Sequence, residues 1–451
     1  PNYPQGSYLG ERNIYFDARE STGDWMAEYF DDTLWEQATK WALPGSEPFN
    51  DTYLNPSPII QFGELKSFLN SSLYNEMYFQ HNTTIVLEVG ENKHFSPYFD
   101  ITSTIPGSKM IYYTNHYEVG VGKEAYSFKD TYITKTGRQT YESYPWRNGE
   151  VLIVEVPAGT SIHQISYRLS GYDSERKGSF ISSDEALNIL WQKAANTLEV
   201  TMRDTYMDCP DRERAPYMGD ATNQVEEAFY ALDQNASLLT KKAILTQIGW
   251  TKLDGAIPSR APSVKPQEIP AQSLAFITAV YKYYLDSGDE QTMRQYYEVA
   301  MNYLRLWEMG PNGLPKLRTG SWTWYDWGSN IDSEILLCTW YYYAASLMHQ
   351  LSVQWSHSDD ITFLEARLQS IRIHFDSVYW TSNGYRSSSF SGATPDERVN
   401  AMAALVGLAE QSKYETIKNL MLTVYNASPF MEKNVLEALC VMGFYEEAKM
   451  R

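Results

Sequence analysis

Cysteine is almost missing from this chain, with only Cys209, Cys338 and Cys440 among 451 residues. Three thiols so widely scattered make neither a disulfide framework nor a CxxC metal knot, and their number does not fix the compartment. Histidine is scarce as well. The seven His include His116, His163, His349, His357 and His374, and none falls in HExxH or other ligand spacing, so no catalytic zinc is expected. GxGxxG and GxxxxGK followed by Ser or Thr are absent, which removes the usual nucleotide cofactors; no organic cofactor is expected. No run of roughly 18 uncharged apolar residues occurs, so a membrane-crossing helix and a membrane partner are not expected. Basic side chains are also short: 37 Lys and Arg stand against 56 Asp and Glu, a net charge of −19. A nucleic-acid partner would need Lys and Arg to neutralise its phosphates, so that class is set aside. This charge balance fits a soluble enzyme acting on a neutral substrate. The chain opens at Pro1, without Met or a signal-peptide pattern, as a processed or excised chain does.

What is abundant is aromatic. Thirteen Trp, 35 Tyr and 17 Phe make 14% of the chain. Flat rings match the C–H faces of sugars, and Tyr and Trp add a polar handle. A large core with aromatic packing explains the same figure.

A chain of this length exceeds one hydrophobic core, so two or three domains are expected. Residues 1 to about 175 read as β-rich: Thr84-Ile85-Val86-Leu87, Met110-Ile111-Tyr112-Tyr113 and Val151-Leu152-Ile153-Val154 are short apolar stretches between turn residues. Pro56 and Pro58 suggest a boundary near residue 60. From Ser182 the period changes to that of helices, with Ala186, Leu187, Ile189, Leu190 and Trp191 on one face. Further helices are predicted over 222–247, 271–285, 290–308, 332–353, 360–378, 396–411, 414–425 and 431–450. No 34- or 40-residue motif repeats legibly, which favours an α/α toroid over a solenoid. The expected fold class is therefore multidomain: N-terminal all-β sandwich units followed by an all-α toroid. Its divisions are a partial sandwich over 1–60, a sandwich over 61–178 and the helical domain over 179–451.

One segment concentrates chemistry. Residues 204–221 carry Asp208, Asp211, Arg212, Glu213, Arg214 and Asp220, with Pro210, Pro216 and Gly219 breaking any regular helix. Glycoside hydrolysis needs one carboxylic acid to protonate the leaving oxygen and a second carboxylate as base or nucleophile. Arg neighbours can keep one carboxylate ionised while burial holds another protonated. Glu213 lies between two Arg, so it serves as an acid only if it points away from them into a drier pocket. A salt-bridged loop that merely caps helix ends accounts for the same residues.

The stretch Asp208-Cys209-Pro210-Asp211-Arg212-Glu213-Arg214, followed by Gly219-Asp220-Ala221, resembles the signature of bacterial α-L-rhamnosidases. That resemblance implies a general acid at Glu213, with Asp208 and Asp220 holding rhamnose hydroxyls and Arg212 orienting the set. Tyr217 stands where the family usually has Trp, and Pro216 where Gly is common, positions that bear on the aglycone side. Tyr15–Arg19 and Phe30–Trp35 look like an accessory carbohydrate-binding sandwich of the family. Val89–Asn92 and Phe99–Thr102 look like the domain before the barrel, and Ser428–Met431 with Val435–Leu439 like a late barrel helix. The implied fold is β-sandwich domains before an (α/α)6 barrel, and the implied reaction is removal of terminal α-L-rhamnose with inversion. Inverting enzymes hold their two carboxyl groups about 6.5–9.5 Å apart. The family's water-activating Glu, beside a Trp, has no counterpart here. Glu432 and Glu437 do not match it, so the chain is expected to be truncated before the base and the last barrel helices.

Ser321-Trp322-Thr323-Trp324-Tyr325-Asp326-Trp327-Gly328 crowds three Trp and an Asp into a loop. Trp322, Trp324 and Trp327 suit a sugar-stacking wall and Asp326 a hydroxyl acceptor; an aromatic plug between helical hairpins is the plainer reading. Trp250, Asp254 and Glu268 are candidates for the same mouth. Trp340–Tyr343, on a helical run, reads as core. The expected ligand is a rhamnose-containing oligosaccharide, polysaccharide or glycoside, handled in a periplasmic or secreted setting. Two rivals stay open: another α/α-barrel glycosidase or a polysaccharide lyase using Tyr206 or Tyr217, and a sugar-binding protein with impaired catalysis.

Overall fold

The computed structural model describes residues 13–43, 46, 60–116, 118–121, 124–263 and 266–451. The chain forms two compact units. One runs to Ala215 and includes Ala231–Asn235; the other comprises Pro216–Tyr230 and Ala236–Arg451.

The first unit is strand-rich. Its elements are β1 (Tyr15–Asp17), β2 (Ile60–Ser67), β3 (Met77–Phe79), β4 (Thr83–Ser103), β5 (Lys109–Thr114), β6 (Glu118–Val121), β7 (Glu124–Ser127), β8 (Asp130–Ile133), β9 (Gly137–Glu142), β10 (Arg147–Val156) and β11 (Thr160–Tyr172). Nine of them join one hydrogen-bonded sheet in the order β1-β8-β5-β10-β4-β11-β2, with β3 on β11 and β9 on β4; β6 and β7 pair apart. The 21-residue β4 organises it. Its first half alternates, with Ile85, Leu87 and Val89 buried and their neighbours exposed, as expected where one face meets the core. Its second half lies between β9 and β11 and is buried on both faces. All three short apolar stretches read from the sequence lie in strands, in β4, β5 and β10. Among the described residues before 44 the single strand is β1, which pairs in parallel with β8. Asp130 fixes that edge: it accepts from Ile14 N at 2.8 Å and from Arg147 at 2.7 Å, both side chains of the ion pair being buried. The boundary suggested near Pro56 and Pro58 lies outside the described residues.

The first long helix, α1 (Glu185–Val200), closes this unit, and Asp184 caps it by accepting from Ala186 N at 3.1 Å.

The second unit is helical. It holds α2 (Met218–Ala231, whose last residue belongs to the first unit), α3 (Asn235–Gly249, whose first residue does too), α4 (Pro270–Ser287), α5 (Glu290–Arg305), α6 (Ser333–Gln354), α7 (Ser358–Tyr379), α8 (Glu397–Leu405), α9 (Tyr414–Met421), α10 (Pro429–Val441) and α11 (Tyr445–Met450). α4 packs on α6, α6 on α8 and α8 on α10. α2 reaches α4 through Lys282, which donates to Glu226 at 2.6 Å, and reaches α10 through Lys433 on the same carboxylate. Of these, α4 and α6 are apolar almost all round, as buried helices are: Trp340, Tyr341 and Tyr342 of α6 are core residues. Two sequence windows divide. The window 222–247 is cut at Asp233, whose carboxylate accepts from Asn235 N at 3.2 Å and starts a new helix. The window 431–450 is cut by a turn at Gly443. No helix is long and apolar enough to cross a membrane among the described residues.

Candidate active site

The segment from Asp208 to Arg214 is a tight loop of the strand-rich unit, pinned mostly by its own backbone. Asp208 N donates to Ala215 O at 2.9 Å, and Asp208 Oδ1 accepts from Ala215 N at 2.9 Å, closing the loop at its base. Arg214 adopts a left-handed backbone (φ 51°) and folds back. Its Nε donates to Pro210 O at 2.8 Å, and its guanidinium lies 3.5 Å from the centroid of Trp146. Asp211 accepts from Asn148 Nδ2 at 2.6 Å and lies 3.6 Å from His116 Nδ1, which raises the His116 pKa. Burial, followed by the charge of Asp208, pushes the Cys209 thiol up. Cys209 is therefore held as a thiol that receives Glu213 N at 3.5 Å, not as a nucleophilic thiolate.

That leaves Arg212 and Glu213. Arg212 Nη2 pairs with Glu213 Oε1. Glu213 Oε2 has no hydrogen-bond partner among the described residues, and Arg212 Nε is buried with none. A buried donor without a partner is uncommon in a folded protein and asks for an explanation. Glu213 does not point away from both arginines. It turns from Arg214 and keeps Arg212.

Tyr217 and Asp220 belong to the helical unit and are described there. Tyr217 forms an isolated bridge with Arg260, which also donates to the phenol oxygen at 3.0 Å. Asp220 sits in the first turn of α2, where a carboxylate meets the positive end of the helix dipole. Gly219 beside it lies close against α4: a Cβ there would fall 2.8 Å from Gln272 Cγ and Cδ, so that side chain would have to move. Gln272 Oε1 is buried without a hydrogen-bond partner among the described residues. Nothing in the sequence marked Gln272, since the pattern of α4 reads as core throughout.

The tryptophan loop is also in the helical unit. Trp322 and Trp327 are 42% and 64% exposed, so two large rings face solvent. Trp324 is half-buried between Trp327 and Phe430, at 5.9 and 5.2 Å between centroids, with its Nε1 buried and unpartnered among the described residues. Asp326 is wholly committed inward. It accepts from Ser428 N at 3.0 Å, from Ser428 Oγ and from Arg398 Nη1 at 3.1 Å. Arg398, fully buried, pairs also with Asp396 at 2.8 Å and donates to Ser329 O and Asn330 O at 2.9 Å each. The loop is thus a rigid shelf whose outer surface is aromatic. Arg398 was not singled out in the sequence, because its partners Asp326 and Ser329 lie some 70 positions away.

Of the other candidates, Glu268 is buried, takes Arg318 Nη2 at 3.0 Å and Tyr303 Oη at 2.9 Å, and its backbone carbonyl receives Ser321 N at 2.9 Å, so it anchors the start of the tryptophan loop. Asp254 accepts from Ala256 N at 3.0 Å in a turn. Glu432 is tied to Arg451 at 3.0 Å. Among the described residues no group of three or more His, Cys, Asp or Glu could hold a metal ion.

A family model described as the bacterial alpha-L-rhamnosidase six-hairpin glycosidase domain matches residues 175–430, more than half of the chain. The chain belongs to this family. Among solved structures it is similar to the GH78 family rhamnosidase of Bacillus sp. GL1, at 21% identity and a TM-score of 0.70 over 81% of this chain and 40% of that one. It is similar also to the α-L-rhamnosidase of Dictyoglomus thermophilum, at 19% and 0.78 over 99% and 51%. A rhamnosidase from Klebsiella oxytoca with rhamnose bound gives 15% and 0.75 over 87% and 86%. At these identities the likeness is one of fold: a strand-rich region followed by a helical one. This chain spans about two fifths of the Bacillus enzyme and half of the Dictyoglomus enzyme. No curated protein matches the chain.

Proposed function

We propose that this rhamnosidase-family protein removes terminal α-L-rhamnose from glycosides, oligosaccharides or polysaccharides by hydrolysis with inversion. The observation that carries the reading is the pair at Arg212 and Glu213. Every other charged side chain of the loop from 208 to 214 is engaged by a neighbour, whereas Glu213 keeps an open oxygen beside a buried, unpartnered guanidinium N–H. Glu213 is the general acid in this proposal. Substrate takes up Arg212 Nε, loosens the Arg212–Glu213 contact and brings the glycosidic oxygen to the carboxyl group. Asp208 and Asp220 hold ring hydroxyls, and Tyr217 bounds the aglycone side. Trp322, Trp324 and Trp327 stack on the sugar and its apolar methyl group, with Asp326 acting through the loop it anchors.

The same reading proposes the finer architecture. β4, shared between two sets of partner strands, belongs to a β-sandwich over 61–178, preceded by an accessory unit over 1–60. The sequence of contacts α4–α6–α8–α10, with α2 touching α4 and α10, supplies five members of the inner ring of an (α/α)6 barrel that 179–451 forms in part. A periplasmic or secreted location goes with a glycoside substrate taken from outside the cell.

The test is the full-length protein with p-nitrophenyl α-L-rhamnoside, followed by proton NMR from the first minute. Release of β-L-rhamnose is expected. α-L-Rhamnose as first product would contradict inversion, and no release from the rhamnoside beside release from another pyranoside would contradict the sugar assignment.

A further inference from the structure

The acidic loop rests on the start of β10. Trp146, directly before that strand, and Asn148, two residues on, both reach the loop, while Arg147 between them turns to its buried partner Asp130 at 2.7 Å. This is the alternation of an extended chain. Asn148 Nδ2 donates to Asp211 at 2.6 Å, and the Trp146 ring carries the Arg214 guanidinium 3.5 Å from its centroid. Buried itself and next to a locked ion pair, Trp146 is a fixed platform for the end of the loop.

Three groups gather round that ring. Beside Arg214, the Arg203 guanidinium lies 4.7 Å from the centroid and donates to Ser170 Oγ at 2.9 Å, and the His94 ring packs at 4.2 Å. Burial, then the charges of Arg203 and Arg214, push the His94 pKa down to about 3, so that ring stays neutral and adds no third cation. A cation over an indole gains most where water is excluded, and Trp146 is only 8% exposed.

Arg214 has another partner within reach of its chain position. Glu213 precedes it directly, and Arg212, on the other side, does pair with that carboxylate. Arg214 instead holds a left-handed backbone (φ 51°), which residues with a side chain keep only where their surroundings impose it. Its guanidinium is engaged by Trp146 and by Pro210 O at 2.8 Å. The consequence falls on Glu213. Each cation beside a carboxyl group favours the ionised form, and an ionised acid has no proton to give.

We infer that Trp146 is a positioning residue of the reaction: by taking Arg214 onto its ring it withdraws the second arginine from Glu213 and leaves that carboxyl group with Arg212. The inference rests on the proposed rhamnoside reading, with Glu213 as the acid.

The experiment is steady-state turnover of p-nitrophenyl α-L-rhamnoside by the full-length protein, with binding of methyl α-L-rhamnopyranoside measured alongside. Trp146→Leu removes the ring and keeps apolar bulk. Its kcat is expected to fall about tenfold, the effect of one extra cation on a carboxyl group, with KM and rhamnoside affinity kept within about twofold. Adding Arg214→Met to Trp146→Leu should restore kcat to within about threefold of the unaltered protein, because the displaced cation is then gone; a ring that merely supports the fold would give two losses that add. Unchanged kcat in Trp146→Leu, or a double variant no faster than the single one, overturns the inference and leaves the rhamnoside reading standing. Trp146→Phe keeps an aromatic face and should hold kcat within about threefold; a fall of about tenfold there overturns the inference even if the leucine variant does not fold. No turnover by the unaltered protein overturns the reading and the inference together.

Discussion

The acidic loop and the tryptophan loop reach rigidity by opposite routes. The loop from Asp208 to Arg214 is tied within itself: Asp208 to Ala215, Arg214 to Pro210, Glu213 N to Cys209. The loop from Trp322 to Asn330 is tied by residues far along the chain, with Arg398, Ser428 and the Glu268 backbone holding it from beneath. The first leaves one oxygen of Glu213 open while most of its other polar groups are engaged in short-range contacts. The second keeps its aromatic surface outward by spending its one carboxylate, Asp326, inward. Rigid support and presented chemistry are thus divided among different residues in each loop, and the support is mostly local in one, apart from Asn148, His116 and Trp146, and remote in the other.

The sharpest way to break this comparison is at Arg398. Arg398→Met would leave Asp326 and Asp396 as buried carboxylates without their cation, which costs about 3–5 kcal/mol. Chemical denaturation should show a loss of that order. A loss below about 1 kcal/mol would mean that the shelf is not held from beneath. Next in size is the exposed face. Trp327→Ala should change stability by no more than about 0.5 kcal/mol, because the ring is largely in solvent, yet weaken binding of methyl α-L-rhamnopyranoside about threefold to tenfold. Unchanged affinity with unchanged stability would remove Trp327 from the sugar wall.

The smallest effect concerns the tie that the acidic loop makes outside itself, at Asp211. Asp211 raises the pKa of His116, so the folded protein holds that proton more tightly than the unfolded chain does. The contact is therefore fully stabilising below the unfolded value of about 6.5 and is lost as pH rises through the raised folded value. Asp211→Asn should cost more stability at pH 5.5 than at pH 9. An equal cost at both would place the role of Asp211 in its bond to Asn148 alone.

Legibility followed the same division. The acidic loop was readable because residue types that matter to one another are adjacent in sequence, and Pro210 and Pro216 marked it as irregular. The strands and most helices were readable from period, since the alternation in β4 and the apolar run in α6 are themselves the burial pattern. What was not readable is what depends on pairing across the chain. Arg398 looks like any surface arginine until Asp326 and Asp396 are seen around it. Asp326 reads as a sugar ligand until Ser428 and Arg398 are found to hold it. The contact of Trp146 with Arg214 joins residues about 70 positions apart, and no local pattern announces their meeting.

The most direct measurement is turnover of p-nitrophenyl α-L-rhamnoside by the full-length protein and by its Glu213→Gln variant, with rhamnose binding followed in parallel. The account predicts a fall in kcat of at least about 100-fold, as expected for loss of a general acid, with rhamnose affinity kept within a few-fold. A Glu213→Gln variant that retains most of its kcat would contradict it.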